Sequence, residues 1–166
     1  MPAGYITCRI LYTRYAHRIT SYKGYLFWGL SGAVIPDLDY YYLLLFDPSG
    51  APDHHYFFTH YPLFWALLWG CSLLWLGLNR RDQNPVSALL FSLGGFIHTI
   101  LDTVIGRIYW LAPFMDKKYG IVSLVYRYDP SRLPDFWNWG YGVEVLIILW
   151  AVYLWLRDDK RKICCR

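Results

Sequence analysis

Four apolar stretches, residues 25–46, 61–78, 86–105 and about 140–156, limit what this chain can fold into more than any other feature. A helix needs roughly 20 mostly apolar residues to cross a hydrocarbon core about 30 Å thick, and each stretch meets or nearly meets that length. A buried helix of a soluble protein is usually shorter and keeps a polar face, whereas the second and fourth stretches are apolar around most of their circumference. Composition agrees, with 56% hydrophobic, 20% aromatic and only 17% charged residues, a balance far from that of an ordinary soluble domain. The sequence therefore predicts an all-α polytopic membrane protein, a bundle of about four transmembrane helices forming a single domain over residues 1–166.

The start of the chain has no uninterrupted apolar run followed by a small-residue cleavage site, so it does not read as a secretory signal peptide. Tyr5, Ile6, Ile10, Leu11, Tyr12 and Tyr15 alternate there with Arg9, Arg14 and Arg18. That mixture suits either an interfacial helix lying on anionic headgroups or a solvated basic leader. The cysteines lack metal-type spacing: Cys8 and Cys71 are isolated and Cys164–Cys165 are adjacent, which fits either lipidation or a frayed basic tail. The basic flanks account for the formal net charge of +4, so membrane lipid, and no nucleic acid, is the expected partner.

Basic residues also predict orientation, because Lys and Arg beside helix ends are retained in the cytoplasm. Arg9, Arg14, Arg18 and Lys23, then Arg80 and Arg81, then Arg157, Lys160, Arg161, Lys162 and Arg166 all fall on one face when the spans alternate. Both termini are thus expected to be cytoplasmic. The opposite face receives a loop without Lys or Arg over residues 47–60, and a long segment over 107–139 in which Arg107, Lys117, Lys118, Arg127 and Arg132 oppose Asp116, Asp129 and Asp135. That long segment is expected to form a structured outer loop, in which Pro130 and Pro134 exclude a regular helix and the tryptophans sit at headgroup level.

An ionisable group inside an apolar span costs several kcal/mol unless it is paired or coordinated, which makes each one a functional candidate. The first span contains Pro36, which removes a helix hydrogen bond, between Ile35 and the pair Asp37 and Asp39,. Two positions apart, the two carboxylates point to different sides of a regular helix. In the third span His98 and Asp102 are four apart and share one helical face,. Imidazole nitrogen and carboxylate oxygen suit zinc, manganese or iron, or the carboxylate orients the histidine from behind; a simple His–Asp pair joining helices uses the same spacing. The loop before the second span supplies His54, His55 and His60 beside Asp53. All three segments fall in the outward halves of their spans, and that convergence favours a metal over isolated interfacial residues. Glu144, at the outward start of the fourth span, could complete the coordination or act as a general base on water. His17 falls on the opposite face and is left out.

The order of these motifs resembles the bacterial inner-membrane metal-dependent hydrolases of the YdjM-like group. The resembling elements are Pro36-Asp37-Leu38-Asp39, then His55-Tyr56-Phe57-Phe58-Thr59-His60, then His98-Thr99-Ile100-Leu101-Asp102 with Gly106 and Pro113-Phe114. Together they cover residues 24–114. Tyr56 and Phe57 stand where the family often has Arg-Gly, which removes a basic group. The last element also resembles part of the zinc phospholipase C and nuclease site, whose later H-x-x-x-E would fall on Gly140 to Glu144, and a glycine there argues against three zinc ions.

The resemblance implies a bacterial inner-membrane hydrolase in which Asp37, Asp39, His55, His60, His98 and Asp102 hold one or two divalent metals, zinc above all, with Glu144 and Asp39 as catalytic groups. Its expected substrate is a lipid or other amphiphilic phosphoester attacked by metal-activated water. The rival expectation is a protein that binds or conducts metal ions or protons without catalysis. A transporter requires ligands that continue toward the cytoplasm, and the inward halves of the spans offer none.

Overall fold

The computed structural model describes residues 2–46, 57–79 and 81–164, and among them all regular structure is helical. Helices α1 (Pro2–Tyr15), α2 (Tyr22–Gly32) and α3 (Leu38–Phe46) precede α4 (Pro62–Leu78), α5 (Asn84–Ile105), α6 (Ile121–Tyr128) and α7 (Leu133–Cys164). Two segments, Asn84–Ile105 and Trp139–Arg157, are long and apolar enough to cross a membrane, and Pro62–Leu78 is a shorter apolar helix. The stretch 25–46 is not one helix. Proline at position 36 divides it into α2, a tight turn at Ile35–Asp37, and α3, giving two pieces each too short to cross alone.

α5 is the central element, packing on α1, α2 and α4. It runs parallel to α2 and antiparallel to α4. Small residues set these distances. A Cβ on Gly32 would overlap the Phe91 carbonyl oxygen, and one on Gly94 would come within 2.8 Å of the Gly29 oxygen, so α2 and α5 touch backbone to backbone. A Cβ on Gly95 would overlap the Trp65 ring of α4. Substituting Gly32→Ala must therefore push two backbones apart, and we expect it to destabilise the fold by about 1–3 kcal/mol. Gly70→Ala on α4, whose Cβ would meet nothing within 4 Å, should be neutral or stabilising. Equal unfolding midpoints for the two variants would contradict this close crossing.

Two expectations are corrected here. α1 is no surface helix: Gly4, Ile6 and Cys8 are buried, and it lies antiparallel to α2, with Tyr25 donating its hydroxyl to the Cys8 carbonyl at 2.7 Å. Its beginning, Pro2 and Ala3, lines a cavity together with Asp37 and His98. Its far end leads to Thr20 and Ser21, whose backbone N–H groups donate to Gln83 at the start of α5. The second correction concerns Pro134, which lies in the first turn of α7, where a missing N–H leaves no helical bond unmade. α7 accordingly starts at Leu133 and not near residue 140.

The segment between α5 and α7 does form a structured cap. Ile108 and Tyr119 exchange backbone hydrogen bonds of 2.8 and 2.9 Å, Ile108 is fully buried, and the Trp110 indole donates to Thr103 on α5 at 3.0 Å.

Candidate metal centre

The turn at Ile35–Asp37 is where sequence becomes chemistry. In a continuous helix the Asp37 N–H would bond to the carbonyl of Ala33, four residues back. Here it bonds to Val34, three back, at 3.0 Å. The Ala33 carbonyl is thereby released from the helix, and His98 of α5 takes it through Nδ1 at 3.0 Å. A carbonyl only accepts, so Nδ1 carries a proton. Nε2 faces Asp102 Oδ2 at 3.0 Å and Asp37 Oδ1 at 3.4 Å, where it donates to the carboxylates when protonated and offers a ligand lone pair when a metal takes that proton's place.

His60 arrives by an independent route with the same outcome. Phe58–His60 form a tight turn before α4, held by the Trp65 indole, which donates to the Thr59 carbonyl at 2.7 Å. His60 is fully buried. Its Nδ1 lies 2.8 Å from Asp39 Oδ2, which also accepts the Thr59 hydroxyl at 2.6 Å. With Nδ1 committed to Asp39, Nε2 is turned toward Asp102 Oδ2, 3.8 Å away. Asp37 and Asp39 serve different histidines, as their two-residue separation requires.

One ligand atom each from Asp37, His60 and His98 fall within 4.8 Å of one another, and Asp102 lies between the two imidazoles. Four ligands about 2.0–2.1 Å from a tetrahedral ion stand about 3.4 Å apart. The contacts of 3.0, 3.4 and 3.8 Å bracket that separation. With both imidazoles neutral, the three nearby carboxylates leave an excess of negative charge that a divalent cation would offset. The donors of Asp37, His60 and His98 thus suit a divalent ion, with Asp102 beside both imidazoles and each histidine's other nitrogen bonded as in metal-ligating histidines. A protonated His98 bridging Asp37 and Asp102 would satisfy the same charges as an ion-paired helix junction, and metal content separates the two states.

Of the expected ligands, Asp37, His60, His98 and Asp102 come together. Asp39 does not join their inner face. It stands behind His60, only 9% exposed, with its Oδ2 taken by the His60 ring and the Thr59 hydroxyl, a placement suited to orienting the ring. His55 lies outside the described residues. Glu144 is exposed and lines the cavity that contains Asp37, His98 and Asp102. That cavity, about 350 Å³, lies between α1, α5 and α7, with Leu101, Val104, Ile105, Val143, Ile147 and Ile148 as its apolar walls. Asp37 is half-exposed and gives the centre its open side.

Sequence reasoning missed three contributors: the Ala33 carbonyl, the Thr59 hydroxyl and Trp65. Proline in the middle of a span was the available signal for the first. A threonine directly before His60 was the signal for the second.

A family model described as YdjM inner membrane protein matches residues 3–161, nearly the whole chain. No curated protein and no solved structure gives a match.

Proposed function

The chain belongs to the YdjM inner membrane protein family, and on that premise we propose that it is a membrane-embedded, metal-dependent hydrolase of lipid or other amphiphilic phosphoesters. The observation that carries this reading is the pair of committed Nδ1 atoms, which turns both His60 and His98 toward the same carboxylate, Asp102. Asp37, His60, His98 and Asp102 would hold the ion, zinc being the best match to two nitrogens and two oxygens. When bound, such an ion lowers the pKa of water and polarises a phosphoryl oxygen.

The remaining work falls to the chain itself. Asp39 and the Ala33 carbonyl fix the two ring orientations. Glu144, across the cavity on α7, accepts the proton as a water oxygen forms its bond to phosphorus. The ester P–O bond then breaks, and the leaving alkoxide takes up that proton to become an alcohol. The cavity falls within the usual range for small-ligand sites, and its apolar walls suit an amphiphile better than a soluble metabolite.

In this reading the bundle crosses the inner membrane four times, by the broken α2–α3 unit and by α4, α5 and α7. With Arg9, Arg14, Arg18, Lys23, Arg81 and Arg157 toward the cytoplasm, His98 lies in the outer half of α5.

Metal conduction is the second reading, because buried carboxylates and histidines also line ion paths. Below the centre, however, the described interior holds Ser72, Ser92, Tyr25 and Cys8, and no acid or histidine continues along α2, α4 or α5. The test is elemental analysis of the purified protein followed by a screen of phospholipid and phosphoester hydrolysis. Stoichiometric zinc with turnover supports the hydrolase. Bound metal without turnover, but with metal-dependent flux into vesicles, would replace it with transport.

A further inference from the structure

A second hollow, about 280 Å³, lies directly below the metal cavity and shares Pro2 and Ile148 with it. Its other walls are Tyr5, Leu30, Ala151, Val152 and Trp155. The lining thus changes from acids and histidine above to apolar groups below, over one continuous depression between α7 and the α1–α2 pair. Ile148, Val152 and Trp155 are 42–57% exposed, so the depression opens sideways on a flank of α7 that faces hydrocarbon in a bilayer. It exists because α7 is packed chiefly on α1, which leaves a seam beside α2.

We propose that this groove holds one hydrocarbon chain of the substrate, so that the protein hydrolyses a long-chain phosphoester drawn laterally from the membrane. The inference rests on the hydrolase reading for its chemistry and on the two linked hollows for its geometry. Three observations name the occupant. The groove offers no charged side chain, so a headgroup, peptide or ion gains nothing there. Its volume, roughly nine waters' worth, suits a single chain. Its direction runs from the acidic cavity toward the Arg157 end of α7, and with that end cytoplasmic an outer-leaflet lipid has its headgroup and chain aligned the same way. Because lipid tails are as apolar as the groove, occupancy adds little affinity. It adds register, holding the phosphorus beside Asp37 and Glu144.

The test uses the full chain in nanodiscs and a long-chain alkyl phosphate carrying a diazirine midway along its chain. Photolysis should label Tyr5, Leu30 and the Ala151–Trp155 turn above the general lipid-facing background, and Ala151→Trp, which fills the groove, should cut that labelling by roughly fivefold or more. Leu149→Trp, on another flank of α7, should leave it unchanged. In parallel, Ala151→Trp should lower the ratio of turnover on a long-chain alkyl nitrophenyl phosphodiester to turnover on chain-less nitrophenyl phosphate by about tenfold, with metal content equal to wild type. Labelling spread evenly around α7, or insensitive to Ala151→Trp, overturns the groove whatever the activity. Groove labelling with no hydrolysis of either ester retains the lipid site and sinks the hydrolase reading instead.

Discussion

Purified His98→Ala protein is expected to bind zinc roughly a hundredfold or more weakly than wild type, since losing a ligand should exceed the 10–100-fold cost of losing a ligand's support. Loss of several kcal/mol of transition-state stabilisation should lower hydrolysis on the order of a thousandfold. The variant also leaves the Ala33 carbonyl without its Nδ1–H partner, which costs about 1–3 kcal/mol of stability in a buried setting, so activity alone is a poor readout. Metal-dependent stabilisation is a better one. At a free zinc concentration of 100 Kd the wild-type fold gains about 2.7 kcal/mol, seen as a rise in unfolding midpoint on adding zinc and a fall on adding chelator. His98→Ala should show no such response at the same concentration. Asp39→Asn, which keeps all four inner groups but weakens the hold on His60, should bind zinc about 10–100-fold more weakly and still respond. Stoichiometric zinc in His98→Ala, or equal affinity in Asp39→Asn, would dismiss the centre as drawn and favour an ion-paired helix junction.

The contrast between these two variants depends on something legible only in part from the sequence. Acids and histidines within or beside apolar stretches, at Asp37, Asp39, His60, His98 and Asp102, mark the candidate site, and four-residue spacing puts His98 beside Asp102 without any structure. What spacing cannot supply is the backbone. The Ala33 carbonyl becomes an acceptor only because the chain changes from an i→i−4 to an i→i−3 bond at Asp37, and no side chain advertises that change except Pro36. The two-residue separation of Asp37 and Asp39 correctly implies different faces, yet it cannot say that one face meets His98 while the other lies behind His60.

α1 failed for a different reason. Its buried stripe is built from Gly4, Ile6 and Cys8, two of them small, and its basic residues obscure any helical period. The pattern therefore resembled a surface helix even though close packing on α2 is what its small residues provide. The start of α7 was misread because proline was treated as a helix breaker at a position where a helix admits it. Both errors bear on the site, because Pro2 and Gly140 are walls of the cavity.

Glu144 is the group on which the hydrolase reading depends most once metal binding is established. It reaches the cavity from α7, the helix that contributes none of the converging ligands, and it is the acid that remains for proton transfer once Asp39 is committed to His60 and Thr59. Glu144→Gln retains shape and hydrogen bonding but cannot accept a proton. We therefore expect kcat to fall by about 10²–10⁴-fold, with zinc content and the zinc-dependent shift in unfolding midpoint unchanged and KM altered little. A shortened Glu144→Ala variant should recover part of its rate when formate is supplied, because the missing function is a carboxylate and not a contact. Reduced zinc in Glu144→Gln would make Glu144 a ligand and leave the base unassigned. An unchanged kcat would remove α7 from the chemistry and reduce its role to walling the cavity.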